Sequence, residues 1–184
     1  MAEYYLISQL PSLDGINENM PLPITEERFS ELCNRFLGKK ARKEIENLTL
    51  LPSKCQEYSG SALLKTWYES ERNLRLALGI ARAEKLNKPF DAENRVLPME
   101  YIKVASTAIE MDNPMEAEEF LNSYRLEFLE AFRPIDNFSE DFIFYYGLKL
   151  KLLLRIRQFD ADAGEAAYKN IYNSILNGDR LEVI

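Results

Sequence analysis

Between Gly60 and Pro89 the chain carries no proline and a single interior glycine, Gly79. Ser59-Gly60-Ser61 reads as a turn and cap, so Ala62 to about Leu86 is predicted to form one helix. At 1.5 Å per residue that rod is about 37 Å long, enough to cross a small domain from side to side. Its middle, Trp67-Tyr68-Glu69-Ser70-Glu71-Arg72-Asn73-Leu74-Arg75-Leu76, sets polar groups beside a heavy apolar stripe. Glu71 and Arg75 stand four apart and share a helix face with Trp67, Leu74 and Leu78. The expectation is an ion pair between Glu71 and Arg75 that fixes a junction with another helix.

The rest of the chain reads as helices too. Thr25 is a good N-cap, followed by Glu26 and Glu27 where the helix dipole favours acids. Phe29, Leu32, Cys33 and Phe36 then recur at helical spacing, and Gly38 is expected to close that helix. A basic run (Lys39, Lys40, Arg42, Lys43) leads a second helix through Ile45 and Leu48 to Leu50. Pro98 opens a helix over Met99 to Met111. Asn113-Pro114-Met115-Glu116 combines a cap, a proline at the first helical position and a glutamate able to reach back to the cap. That helix runs to Phe132. Ser139 caps the next, which extends to about Gln158 and is apolar nearly all round, as a central helix of a bundle is. Its Lys149, Lys151, Arg155 and Arg157 are expected to snorkel outward. A last helix opens at Asp162 or Ala163 and ends at Gly178. Tyr4 to Leu10 is either strand-like or a first helical turn. No alternation of period two lasts long enough for a sheet.

The predicted fold is therefore all-α, a bundle of about six to seven helices in one domain over 1–184. A shift of 78 residues aligns Trp67-Tyr68 with Tyr145-Tyr146, Leu74 with Leu152 and Leu76 with Leu154. This echo suggests two similar lobes, 1–96 and 97–184, although two leucine-rich helices also align this well by chance.

Composition narrows the functional classes. With 46% hydrophobic residues, 10 Phe and 10 Tyr in 184 residues, the chain can build a real core and is not a disordered segment. A formal charge of -7 opposes non-specific nucleic-acid binding and direct docking on anionic lipid. It leaves a protein partner with a basic surface. Histidine is absent, which removes histidine general bases, the serine and cysteine triads that need one, and the usual zinc ligands. The glycines are isolated, so no loop can cradle a phosphate. Asp160-Ala161-Asp162-Ala163-Gly164-Glu165 resembles the start of a calcium loop, but its glycine comes one place early and Ile171 stands where the closing glutamate belongs. Glu116, Glu118, Glu119, Glu127 and Glu130 read as a solvated acidic face rather than a ferritin-like metal site. The expectation is no catalytic residue, no cofactor-binding residue and no metal ligand.

Cys33 and Cys55 are too few for a disulfide scaffold and too far apart for a metal knuckle, which predicts buried thiols in a reducing compartment. Met1 to Tyr5 lacks a signal-peptide pattern, and the longest uncharged apolar run, Phe142 to Leu148, is far short of the ~20 residues of a membrane span. Asn47-Leu48-Thr49 is a chance sequon.

Three stretches carry a family resemblance. Tyr4-Tyr5-Leu6-Ile7-Ser8-Gln9-Leu10-Pro11-Ser12-Leu13 resembles the opening of small proteins encoded with the components of bacterial V-type ATPases. Trp67 to Leu86, with Glu71-Arg72-Asn73-Leu74-Arg75, resembles the Glu-x-Asn-(Leu/Ile)-Arg helix of the V-type ATP synthase C-subunit family, whose vacuolar members are the d-type subunits. Phe142 to Phe159 is similar to a second helix of that kind. Standard members are nearly twice as long and have three similar helical lobes. The resemblance implies a cytoplasmic, non-catalytic stalk component held at the inner face of the cell membrane by protein partners, the rotor ring and the central shaft. It carries Glu71, Asn73 and Arg75 over as structural residues. Trp67 joins them as a structural or interface candidate, and Tyr4, Tyr5 and the Lys39 to Lys43 patch are the partner-facing candidates. The competing expectations are a free-standing scaffold for a soluble protein and, behind it, a carboxylate enzyme.

Overall fold

The computed structural model describes residues 2–16, 20–52, 60–90, 96–158, 168–169 and 171–172. Among the described residues there are seven helices and no strand: α1 (Ala2–Ile7), α2 (Glu26–Phe36), α3 (Lys39–Glu46), α4 (Ala62–Lys85), α5 (Met99–Glu110), α6 (Pro114–Ala131) and α7 (Glu140–Ile156). The expected all-α architecture is therefore the one observed. Tyr4 and Tyr5 lie on a helical segment, not a strand. The Asp160 to Glu165 segment, Cys55 and the bulk of the last expected helix fall outside the described residues.

The helices begin where side chains satisfy free backbone donors. Thr25, Ser61 and Ser139 each accept a hydrogen bond from the backbone N–H three residues on. Asn113 accepts from Met115, and its own amide donates to Glu116 at 3.0 Å. The predicted reach of Glu116 is thus present, directed at the cap's side chain rather than its backbone. Two ends differ from expectation: α3 ends at Glu46 rather than Leu50, and Gly38 does not close α2. Gly38 has φ -66° and serves as the N-cap of α3, because the chain enters α3 directly without a left-handed residue. α4 closes at Asn87, whose φ of 51° lets Lys88 and Asn87 donate back to Ala83 and Glu84. The end falls where it was expected, at about Leu86.

α7 is the central rod. Every residue from Ile143 through Leu150 is buried, which is possible only if neighbours cover all its sides. Those neighbours are α2, α3, α4 and α6. Gly147 makes the closest approach possible: a Cβ there would meet Leu48 Cδ2 at 2.7 Å and Phe29 at 3.1 Å. Gly147→Ala is expected to destabilise the protein by about 1–3 kcal/mol through overpacking, read as a lower urea midpoint with an unchanged slope. A midpoint at or above the wild type's would show that Phe29 and Leu48 give way freely.

Around these rods two hydrophobic cores form. The first joins α1, α2, α3, the start of α4 (Leu63 to Tyr68), Leu129 of α6 and α7. The second joins the later part of α4 (Leu74, Ala77, Leu78), α5 and Leu121 of α6. The cores do not follow the subdivision 1–96 and 97–184, because α4 and α6 each contribute to both.

Candidate functional site

A polar layer separates the two cores, and the residues of α4 and α6 that fall between them build it. On α4, Ser70 and Glu71 lie between Tyr68 of the first core and Leu74 of the second; on α6, Asn122 and Arg125 lie between Leu121 and Leu129. Glu71 is 2% exposed and Arg125 6%. Arg125 Nε donates to Glu71 Oε2 at 3.0 Å and Nη2 to Oε1 at 3.1 Å, a bidentate fork. Its remaining nitrogen, Nη1, donates to Asn122 Oδ1 at 3.2 Å and faces Glu118 at 3.6 Å. Glu118 in turn pairs with Arg155 of α7. Tyr101 of α5 donates to Ser70 at 3.2 Å. The Glu71–Arg125–Glu118–Arg155 chain thus joins α4, α6 and α7, and the separate Tyr101–Ser70 bond joins α4 to α5.

This arrangement corrects the expected Glu71–Arg75 pair. Arg75 is exposed and donates to the Pro52 carbonyl at 3.4 Å, while Glu71 points inward to α6. Spacing of four leaves the two residues about 40° apart around the axis, enough for the second to leave a narrow buried face. Asn73 is half-buried beside them. Trp67 is buried, as predicted, against Phe128, with ring centres 6.4 Å apart, and its indole N–H meets no acceptor among the described residues.

A second network centres on Lys149 of α7. Expected to snorkel outward, Lys149 is instead 7% exposed. Its ammonium lies 2.6 Å from both Asp14 and Glu130. Tyr145 donates to Glu130 at 2.7 Å, Arg133 donates to Asp14 at 3.2 Å, and Tyr146 donates to the Pro11 carbonyl at 2.8 Å. Together they bind the loop after α1 to α6 and α7. Glu118 and Glu130 are therefore partners of buried or half-buried cations, but only Glu118 leaves the solvated acidic face: Glu130 stays exposed with Glu116, Glu119 and Glu127.

The charges show it. The hydrogen bond from Lys149, with its charge, holds the Asp14 carboxyl below its ordinary 3.8 despite some burial. Burial pulls Lys149 downward, but its hydrogen bonds to Asp14 and Glu130 outweigh that and leave the ammonium above its ordinary value. Burial, then the bond to Glu130, pushes the Tyr145 hydroxyl up to about 12. A lowered carboxyl contributes stability above its unfolded pKa and loses it as pH falls through the folded one. Asp14→Asn is therefore expected to lower the urea midpoint at pH 7, and the gap from wild type should close below pH 3.8. An unchanging gap would contradict the pairing. The Cys33 thiol, 1% exposed, is pushed up to about 12 by burial and is no nucleophile in the folded chain.

No group of three or more potential metal ligands occurs among the described residues, and no helix there is long and apolar enough to cross a membrane. A shallow cleft of about 330 Å³ runs between the ends of α4 and α5 and the start of α6, walled by Leu78, Ala108 and Leu121. The predicted anchors Tyr4 and Tyr5 are on the surface, 56% and 59% exposed. Sequence reasoning missed Arg125, Asn122, Asp14 and the burial of Lys149; the only signal was that Arg125 and Lys149 interrupt apolar helix faces. Comparison with protein-family models, with curated proteins and with solved structures finds no match for this chain.

Proposed function

We propose that this chain is a non-catalytic adaptor or accessory component of the central stalk of a bacterial V-type ATPase, seated between rotor ring and shaft on the cytoplasmic side. The observation that carries the reading is the role of Glu71, the first residue of the motif that resembles the C-subunit family. It pins α4 to α6 with a bidentate, buried pair, which is a mechanical task and not a chemical one. A body that transmits torque needs helices that cannot slide past one another. A buried charge pair resists sliding, because displacement leaves both charges desolvated and unpaired. Asn73 and Arg75, the other motif positions, flank that junction on its outer side.

The test is co-purification. With the ATPase components and a tagged form of this chain expressed together, rotor-ring and shaft proteins are expected to elute with the tag. Recovery of the complete, active complex without this chain would defeat the proposal. The exposed Tyr4 and Tyr5 favour a second reading, a free-standing helical scaffold for a soluble protein. A monodisperse pool of the chain bound to such a partner, away from the membrane, would establish it.

A further inference from the structure

One edge of the molecule gathers aromatic rings that the fold does not bury. Tyr4 of α1 stacks on Phe138 of the α6–α7 loop, with ring centres 4.9 Å apart, and Tyr5 meets Tyr4 edge-on at 6.1 Å. Phe138 is 52% exposed, and Ile135 of the same loop is wholly exposed. The loop is not slack. Asp136 Oδ1 accepts from the Phe138 N–H at 2.9 Å, its carbonyl accepts from the Ser139 hydroxyl at 2.7 Å, and Ser139 caps α7. The apolar groups are therefore held out to solvent by an ordered turn, which is how a docking surface differs from a frayed one.

The charge around this edge is mostly negative. Its acids are Glu3, Asp14, Glu130, Asp136, Glu140 and Asp141. Its cations are Arg133 and Lys149, and both are already engaged, Arg133 with Asp14 and Lys149 with Asp14 and Glu130. Asp141 accepts from Ser61. Asp136 and Glu140, both exposed, stand two residues to either side of Phe138 and make its surroundings negative, in a chain whose formal net charge is -7. Aromatic faces next to carboxylates suit a guanidinium, which stacks on the ring and reaches the acid at once. The molecule does this with its own Arg133, which lies 5.8 Å from the Phe142 ring centre and 5.7 Å from that of Tyr145.

We propose that the Tyr4–Phe138 edge, rimmed by Asp136 and Glu140, docks a basic amphipathic helical segment of a partner protein, with an arginine of that segment on the rings. The proposal rests on the reading of this chain as a docking body, whichever machine it serves.

The probe is a fluorescent Leu/Arg amphipathic peptide, with a sibling in which every arginine is glutamate, titrated with the full chain. The basic peptide is expected to bind and the acidic one not. Tyr4→Ala with Phe138→Ala should weaken binding at least about tenfold, since exposed rings of this kind supply the anchor energy. Asp136→Asn with Glu140→Gln keeps the turn's acceptor and should weaken binding and flatten its salt dependence. Glu110→Gln with Asp112→Asn, a remote pair, should change nothing. Circular dichroism and the melting temperature certify each variant's fold. Equal binding of both peptides, equal loss with the remote pair, binding untouched by the ring variants, or partition onto phosphatidylcholine vesicles without peptide binding would each overturn the proposal. Peptide binding that survives while ATPase co-purification fails would refute the assignment to that complex and leave this surface standing.

Discussion

Arg125→Met is expected to lower the unfolding free energy by about 3–5 kcal/mol, one of the two largest effects among single changes in this protein. The side chains differ little in volume, so packing is not the main cause. The substitution strands Glu71, 2% exposed, with a carboxylate and no counter-ion, and it removes the donor that holds Asn122. For a chain of 184 residues the loss corresponds to roughly 6–20 °C in melting temperature. The double variant Glu71→Met, Arg125→Met separates the cost of an unpaired charge from the value of the pair. It should be markedly more stable than Arg125→Met alone, because burying a pair already consumes most of its Coulombic gain in desolvation. A single variant within about 1 kcal/mol of wild type would mean that the layer is hydrated and does not lock α4 to α6.

Phe144→Ala should destabilise by a similar amount, about 3–5 kcal/mol, for a different reason. Phe144 is 2% exposed in the middle of α7, and α7 is covered on every side. Truncation leaves a cavity whose walls belong to several helices, each fixed by its own contacts, so collapse around the gap is limited. The natural comparison is Phe138→Ala in the α6–α7 loop. That ring is half in solvent, and its loss should cost at most about 1 kcal/mol. Equal effects at the two positions, measured by urea unfolding, would contradict the central placement of α7.

Both predictions depend on contacts that sequence alone anticipates unequally. The caps Thr25, Ser61, Asn113 and Ser139 were legible because each acts on backbone groups two or three residues away. The burial of α7 was legible because leucine, tyrosine and phenylalanine occupy all its faces. The burial of Trp67, Leu74 and Leu78 followed from spacing on α4. Charged residues resisted the same treatment. Glu71 had a plausible partner four residues away in Arg75, yet its true partner is 54 residues distant on α6. Lys149 resembled its neighbours Lys151 and Arg155, and only its meeting with Asp14, 135 residues earlier, explains its burial. The two cores were equally hidden, since the echo between α4 and α7 suggested a division by sequence halves, whereas α4 and α6 each run through both.

By itself the sequence determined most of the rods: where α2 to α7 start, which faces are apolar and which one must lie at the centre. Those properties come from dihedral preference, backbone capping and side-chain periodicity, all set within a few residues. Only the tertiary structure decided which charges are neutralised, where the polar layer divides the apolar interior and which aromatic rings stay in solvent. A buried charge needs a partner at about 3 Å, and helices crossing at a distance, not neighbours along the chain, choose that partner.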